Sequence, residues 1–357
     1  MARRFYLDDL LKTCTGGRLL AALALLLSTT APLAEPLPGT AAAAQRSDDA
    51  VPGLPAAAQS DLHTPQGTGA AARQGIEASK AKPPSGATPL MRAALRGDLA
   101  AIDEELAYGV DIDEQDPQGN TALALAAAAG RITAIKHLLQ RGANIGLSDH
   151  FGATPLMQAI AADQSAAAIL LIEQGARVNA RLKRNRSTPL ILAAWHGRTT
   201  LVEPLLAHGA DIAYRNQGGL DALMTAIERK HTDVVQLLLD RGAPIDGVTT
   251  TGRSTLDLAA IANDADTVKE LLKRGMSVDR RDRTGATPSM RAAAHGATDG
   301  LEALIAAGAD PNAVSNNGTS VLMMAAANGR TAAITLLLKH GAKIDARDPR
   351  YGSTALH

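Results

Sequence analysis

A nearly constant spacing of glycines is the feature of this sequence that most limits how it can fold. Six intervals of 33 residues and one of 34 separate eight glycines, which are Gly109, Gly142, Gly175, Gly209, Gly242, Gly275, Gly308 and Gly341. A fixed period of this length indicates a repeat protein built from like units. Each unit is too small to bury its own apolar face, so neighbouring units must stack.

A second marker keeps the same period, and it consists of short side chains that carry an oxygen. These residues are Thr88, Thr121, Thr154, Thr188, Asp221, Ser254, Thr287, Ser320 and Thr354. Such a side chain at a helix N-cap accepts a hydrogen bond from a backbone N–H that has no partner within the helix. Proline follows the cap at Pro89, Pro155, Pro189 and Pro288, where a missing N–H costs nothing. We therefore predict a helix start at this register in every unit.

The second unit shows how one repeat is organised. Thr121 begins a short helix that Gly130 ends, and a second helix runs roughly from Ile132 to Gln140 with an apolar stripe. Gly142 then stands where a left-handed residue ends a helix. The pattern predicts a pair of helices followed by a polar turn in each unit.

Taken together, these motifs resemble the ankyrin repeat. The resemblance is clearest from Gly152 to Leu156 and from Leu205 to Asp211, and it covers about residues 86–357. It implies an all-α fold of helix pairs with short β-hairpin fingers. The expected architecture is an ankyrin-type α-solenoid of about eight repeats plus a ninth partial repeat. The resemblance also implies that partners are gripped by finger tips and by the first, inner helix of each pair.

Two departures from the family pattern lead to further predictions. Arg186 stands where the finger glycine belongs, next to one extra residue after Gly175, so this finger should have a distorted turn. The register of the family's usual histidine carries five methionines, which are Met91, Met157, Met224, Met290 and Met323. We interpret them as core side chains, since methionine fills irregular spaces between helices.

The N-terminal part of the chain has a different composition. Residues 1–44 place arginines before the apolar run from Leu19 to Leu27 and small residues after it, which is typical of an export signal. The run is too short for a membrane span. Residues 45–85, rich in Ala, Pro and Gly, are predicted to be a disordered linker. We expect a periplasmic or secreted protein with no stable membrane span after signal removal, or a cytoplasmic one if this segment is not a signal.

Composition and motifs argue against several classes of function. The 36 basic and 36 acidic residues balance, which is unlike the basic footprint of a nucleic-acid-binding protein. The sequence has no Gly-rich phosphate loop and no metalloprotease or hydrolase motif. The single cysteine, Cys14, precedes the apolar run, so the chain would have no cysteine after signal removal. A disulfide framework is therefore not possible. We predict a chain that is not an enzyme, with no cofactor and no metal site.

Aromatic and basic residues gather in the finger and first-helix registers of repeats 3 to 5, in a chain with only 2% aromatic residues. The candidate partner-binding residues are His150, Phe151, Lys183, Arg184, Arg186, Trp195, His196, Tyr214 and Arg229. Trp, Tyr and Arg are enriched at interface hot spots. We hypothesise a basic–aromatic patch for an acidic or carboxylate-bearing protein. In the alternative interpretation, Trp195 only packs between helices and the basic finger is a solvated turn.

The sequence therefore predicts a noncatalytic protein-binding scaffold or adaptor of a bacterial cell envelope. One alternative is a secreted effector that acts on proteins outside the producing cell. Another is the recognition arm of an enzyme or toxin whose catalytic part lies beyond His357. Gly352 to His357 begins a ninth repeat and then stops, so either the natural chain continues further, which we favour, or this short piece is a minimal cap of the solenoid.

Overall fold

The structure is a computed structural model that describes residues 86–349 and 352–356. The predicted signal (1–44) and linker (45–85) lie outside the described residues. The chain divides after His150 into two compact units. The first unit contains the helices α1 (Pro89–Arg96), α2 (Leu99–Ala107), α3 (Ala122–Ala128) and α4 (Ile132–Gln140).

Twelve described helices belong to the second unit. They are α5 (Pro155–Ala161), α6 (Ser165–Glu173), α7 (Pro189–Trp195), α8 (Thr199–Ala207), α9 (Ala222–Glu228), α10 (Thr232–Asp240), α11 (Thr255–Ile261), α12 (Ala265–Lys273), α13 (Pro288–His295), α14 (Thr298–Ala306), α15 (Val321–Ala327) and α16 (Thr331–Lys339). Each odd-numbered helix is the first of a pair and each even-numbered helix is the second.

The N-cap prediction is confirmed at eight of its nine positions, whereas Thr354, the ninth, is followed by a turn and no helix among the described residues. At each of the eight, the capping side chain accepts a hydrogen bond from the backbone N–H three residues later. The periodic glycines that follow the second helices, such as Gly109 and Gly142, have the left-handed φ expected at a helix end. The repeat period therefore reflects helix starts and stops that local chemistry specifies.

Small and aliphatic side chains form the core of both units. All seven residues of α3 are buried, and five of them are alanines, which lets neighbouring helices approach closely. The five methionines of the histidine register are buried as well, so their interpretation as core residues is confirmed. The core is aliphatic because the chain has so few aromatic side chains.

The segment between one helix pair and the next, which we call a finger, is stabilised mainly by backbone hydrogen bonds within its turn. In the finger before α3, the Asp116 N–H donates to the Asn120 carbonyl at 3.0 Å and the Gly119 N–H donates to the Asp116 carbonyl at 2.8 Å. Among the described residues, strand pairing is limited to two isolated antiparallel bridges, Val248–Ser254 and Val314–Ser320. The fingers are thus tight turns with minimal β-pairing.

Side chains of one repeat also form hydrogen bonds with unpaired backbone carbonyls at the helix ends of the neighbouring repeat. The Arg131 Nε donates to the carbonyl oxygen of Leu95 at 2.9 Å, and the Arg330 Nε donates to that of Ala294 at 3.1 Å. Both carbonyls lie in the last turn of a first helix, where a backbone acceptor has no partner within the helix and a cation is favoured. A basic residue just before one second helix therefore stabilises the first helix of the preceding repeat.

Asn263 provides a capping interaction across repeats. The second helix α14 has Ala297 at its N-cap and no capping side chain of its own. Instead, the Asn263 Oδ1 accepts hydrogen bonds from the N–H groups of Asp299 at 2.8 Å and Gly300 at 3.0 Å. Asn263 itself has a left-handed φ of 60°. The preceding repeat thus supplies the cap that α14 lacks.

We expect Asn263→Gly to lower the free energy of unfolding by about 1 kcal/mol, because glycine keeps the left-handed backbone but removes the cap. Asn263→Ala should be more destabilising, since alanine keeps a β-carbon in the left-handed conformation without the polar side chain that makes it tolerable for asparagine. Urea denaturation of both variants checks this order. Equal stability of the glycine variant and the wild type would contradict the capping role.

Asp221 is the one aspartate among the eight described first-helix caps, and its side chain is fully buried. Its Oδ1 accepts from the Met224 N–H at 2.8 Å, while its Oδ2 has no hydrogen-bond partner and lies 3.7 Å from the Arg215 Nε. Burial raises the pKa of Asp221 to about 6, against the opposing effects of the Met224 N–H and the Arg215 charge. Ionised Asp221 is therefore costly at neutral pH.

The raised pKa means that the folded chain binds a proton on Asp221 more tightly than the unfolded chain does. Its contribution to stability is greatest below pH 4 and declines as the pH rises through 6. We expect Asp221→Thr, which restores a threonine cap, to raise the free energy of unfolding at pH 7 by on the order of 1–3 kcal/mol.

Denaturation at a series of pH values checks this expectation. The difference between Asp221→Thr and the wild type should be small near pH 4 and should reach a plateau above pH 7. Asp264→Thr is a matched control, because Asp264 also caps a helix but is only half-buried. A difference that does not change with pH would contradict the assignment to the Asp221 carboxyl group.

Candidate protein-interaction surface

Most of the candidate residues lie in the second unit, at two kinds of position. Lys183, Arg184 and Arg186 belong to the finger before α7, and Tyr214 belongs to the finger before α9. Trp195, His196 and Arg229 lie at the ends of the first helices α7 and α9. These are the finger and first-helix positions that the resemblance implies for partner binding.

The end of α7 is joined to the end of α9 through Trp195. The Arg229 guanidinium lies over the Trp195 ring, 4.2 Å from its centroid. The His231 Nε2 is 3.0 Å from the Trp195 carbonyl oxygen, so the backbone of Trp195 is held by the same neighbouring repeat. Trp195 is half-buried, and it therefore packs on its neighbour while part of its surface stays accessible.

A second stack joins two consecutive fingers. The Arg181 guanidinium lies 4.5 Å from the centroid of the Tyr214 ring. Arg181 is exposed and Tyr214 is half-buried. An arginine that stacks on an aromatic ring is positioned by the ring, and its planar N–H edges stay able to bind a carboxylate.

The finger of residues 176–187, which we call the basic finger, is held in place by two buried side chains. Its Leu182 is buried, and so is Asn185. The Asn185 carbonyl accepts from the Gln217 N–H of the next finger at 2.9 Å, and the Asn185 Oδ1 accepts from the Ser187 N–H at 3.0 Å. These contacts fix the backbone of the finger and leave its cations pointing outward.

The predicted distortion of this turn is confirmed. The Leu182 N–H donates to the Ser187 carbonyl at 3.0 Å and the Arg186 N–H donates to the Leu182 carbonyl at 3.1 Å, so the turn is one residue longer than in the finger before α3. Arg186 has a φ of 60°, the left-handed region in which the other fingers carry glycine. A non-glycine residue there is strained by about 1 kcal/mol or more.

The cations of the basic finger differ from those of the second helices in their partners. On the second helices, Arg241 pairs with Glu203, and Arg274 pairs with Glu270 at 2.7 Å and with Asp240 at 3.4 Å. Within the described part of the chain, Lys183, Arg184 and Arg186 form no ion pair and are exposed. Unpaired exposed cations are available to a partner, whereas paired ones are already used in the fold.

The two remaining candidates lie on either side of the boundary between the units. Phe151 is half-buried in the second unit, and its carbonyl accepts from the Lys183 N–H at 2.8 Å, which links it to the basic finger. His150 is exposed in the first unit, where its N–H donates to the Gln118 carbonyl at 3.1 Å. His150 therefore belongs to a different unit from the other candidates. We call the second-unit set, with Arg181 added, the basic–aromatic surface.

Arg181 and Glu228 lie in the same finger and first-helix registers, but the sequence did not predict their contacts. Burial raises the pKa of Glu228, while the charges of Arg253 and Arg229 lower it. Glu228 is half-buried at the end of α9, beside the Arg229 that covers Trp195. Periodicity alone could not find these contacts, because they join residues of different repeats.

The described residues contain no group of three His, Cys, Asp or Glu side chains placed to hold a metal ion. None of the described helices has the length and apolar character needed to cross a bilayer.

Comparison with known proteins identifies the repeat. A family model described as ankyrin repeats in three copies matches residues 66–149, 130–216, 213–282 and 283–357. The crystal structure of the human ASB11 ankyrin repeat domain is similar, with a TM-score of 0.55 and 27% sequence identity. That match covers 63% of this chain and 100% of the human domain. No curated protein matches the chain.

We expect Arg186→Gly to raise the free energy of unfolding by about 0.5–1 kcal/mol, because glycine relieves the left-handed strain at some entropic cost. The reciprocal variant Gly252→Arg is a matched control, because Gly252 has the same register, a φ of 85° and open space around it. Thermal or urea denaturation should show stabilisation in the first variant and destabilisation in the second. Destabilisation by Arg186→Gly would contradict the strain at this finger.

Proposed function

Because this chain belongs to the ankyrin repeat family, we propose that it is a noncatalytic binding scaffold of the cell envelope that holds a partner protein on its fingers and first helices. Ankyrin repeats serve in general as protein-interaction modules, and this coarse role follows from the family. The finer proposal is that the basic–aromatic surface receives an acidic or carboxylate-bearing partner. The export-signal pattern of residues 1–44 supports a place in the periplasm or outside the cell.

The observation that carries the proposal is the pair of arginine–aromatic stacks beside unpaired cations. Arg229 lies on Trp195 and Arg181 lies on Tyr214, at 4.2 and 4.5 Å from the ring centroids. A stacked guanidinium has already lost much of its freedom, so less entropy is lost when a carboxylate binds its N–H edge. Binding of two parallel N–H groups to one carboxylate is among the stronger polar contacts available.

The arrangement favours binding by a preformed surface. Asn185 and Leu182 fix the basic finger from its base, and the stacks tie each arginine to an adjacent repeat. The partner therefore meets cations that need little reordering. This is the physical reason for a scaffold role, because the fold supplies position and charge while the partner supplies the complementary acid.

We expect two sets of substitutions to weaken partner recovery. Trp195→Ala removes the ring that positions Arg229, and the double variant Arg184→Glu/Arg186→Glu reverses two exposed charges. Loss of a hot-spot contact should lower recovery by about tenfold or more. The measurement is affinity capture from envelope extracts with the immobilised chain, followed by quantitative mass spectrometry.

The control is Lys136→Glu/Lys339→Glu, which makes the same change in net charge at exposed positions of the second helices α4 and α16. Circular dichroism should show that every variant stays folded. A protein that the control recovers and both test variants lose is the expected partner. Equal recovery by wild type and both test variants would contradict the role of the basic–aromatic surface.

A further inference from the structure

We infer that the chain has two equivalent basic sites on fingers three repeats apart, and that together they bind one extended acidic segment with two clusters of carboxylates. This inference rests on the proposed function and extends it, because it specifies how the acidic groups of the partner are spaced. The first site is on the basic finger. The second is on the finger of residues 276–286, which we call the second basic finger.

The two fingers carry cations at the same register. Arg181 and Lys183 stand six and eight residues after Gly175, and Arg281 and Arg283 stand six and eight residues after Gly275. Two fingers lie between them. At the same two positions, one carries Arg215 and Gln217 and the other carries Val248 and Thr250. Among the described fingers of the second unit, only the basic finger and the second basic finger carry a cation at both positions.

The two sites are alike in which cation is fixed, although the contact that fixes it differs. The first cation of each is fixed by the following finger: Arg181 stacks on Tyr214, and the Arg281 Nη1 donates to the Val314 carbonyl at 2.7 Å. The second cation of each, Lys183 or Arg283, is exposed and has no ion pair in the described part of the chain. Each site thus offers one cation that the next finger positions and one exposed cation without an ion pair.

The intervening fingers offer no comparable pair of free charges. The Arg215 guanidinium is 3.7 Å from Asp221 and 3.8 Å from Asp246, so its charge is partly compensated within the fold. Thr250 uses its hydroxyl to donate to the Gly218 carbonyl at 3.2 Å. The charges of these fingers are therefore complementary to two separated clusters of acidic residues, and not to one continuous acidic run.

The second basic finger also borders a groove with a volume of about 440 Å³. Its lining includes Arg283, Thr284, Arg291, Asn316, Asn317 and Met324. The exposed cation Arg283 at the rim suits an acidic side chain of a segment that lies in the groove.

The walls of this groove are already fixed. The Asn316 N–H donates to the Thr284 carbonyl at 3.0 Å, and the Asn316 Nδ2 donates to the Arg283 carbonyl at 3.1 Å. Arg291 is paired with Asp282, which holds its guanidinium in place. Binding at the second site therefore requires little rearrangement.

The spacing of the partner's acids follows from the repeat. Packed helices lie about 8–10 Å apart, so three repeat steps separate the two sites by roughly 24–30 Å. An extended peptide advances about 3.3 Å per residue, so about seven to nine residues span that distance. Engaging both sites makes the second contact intramolecular, which raises affinity without any new kind of contact.

Two synthetic peptides of equal composition test the inference against the full chain. The split peptide has two clusters of three glutamates joined by eight Gly and Ser residues, and the compact peptide has all six glutamates together at one end. We expect the split peptide to bind at least about tenfold more tightly, as measured by fluorescence anisotropy at constant salt. Equal affinity of the two peptides would overturn the two-site inference.

Single substitutions locate the two contacts. Arg283→Ser and Lys183→Ser should each reduce the affinity for the split peptide to that of the compact peptide. Lys136→Ser makes the same charge change at an exposed position of α4 and should leave both affinities unchanged. Unchanged binding of the split peptide by Arg283→Ser would show that the second basic finger is not a site.

The experiment separates this inference from the proposed function. If the compact peptide binds, Lys183→Ser weakens it, and the split peptide gains nothing, then the two-site inference fails while the acid-binding surface stands. If neither peptide binds, the acidic partner of the proposed function is contradicted as well.

Discussion

The structure depends above all on contact between neighbouring repeats. Helices of seven to nine residues are too short to be stable alone in water, so burial against the next pair must stabilise them. Small residues make that burial possible. A β-carbon added at Gly300 would lie 2.7 Å from the Ala260 carbonyl oxygen, so even an alanine would force these two helices apart. Side chains from adjacent repeats then complete the helix ends, as Asn263 does for α14.

This dependence explains why ion pairs of the second unit form between second helices of neighbouring repeats. Between the second helices, arginines such as Arg241 and Arg274 join one repeat to its neighbours through carboxylates. The basic finger has no such link, because its turn and the buried anchor Asn185 already hold it. Its exposed cations Lys183, Arg184 and Arg186 therefore stay without an ion pair among the described residues. A rigid scaffold with unpaired charges at its projecting positions is suited to capturing an acidic protein with little loss of conformational freedom.

Features encoded within one repeat could be predicted from sequence. The N-caps, the helix-ending glycines and the lengthened turn at Arg186 each depend on residues close together in the chain. Contacts between repeats could not be predicted in the same way. Arg229 reaches Trp195, and the cap of α14 comes from Asn263, because stacking brings together residues that are more than thirty positions apart. Periodicity gives the register of such residues but not the direction of their side chains.

The repeats also act as references for one another, and departures from their shared pattern carry information about function. Among the described residues, four that are not glycine have a left-handed φ: Asp163, Arg186, Lys230 and Asn263. Two of them have a structural reason, since Asp163 pairs with Arg198 at 3.0 Å and Asn263 caps α14.

Arg186 and Lys230 have no ion pair among the described residues, yet they keep the strained conformation. Arg186 is on the basic finger, and Lys230 directly follows the arginine that covers Trp195. Other repeats carry glycine at both registers, so the left-handed backbone belongs to the repeat and the strain comes from the side chain that replaces glycine. An exposed cation at each of these registers is therefore an argument for recognition that does not depend on the aromatic stacks.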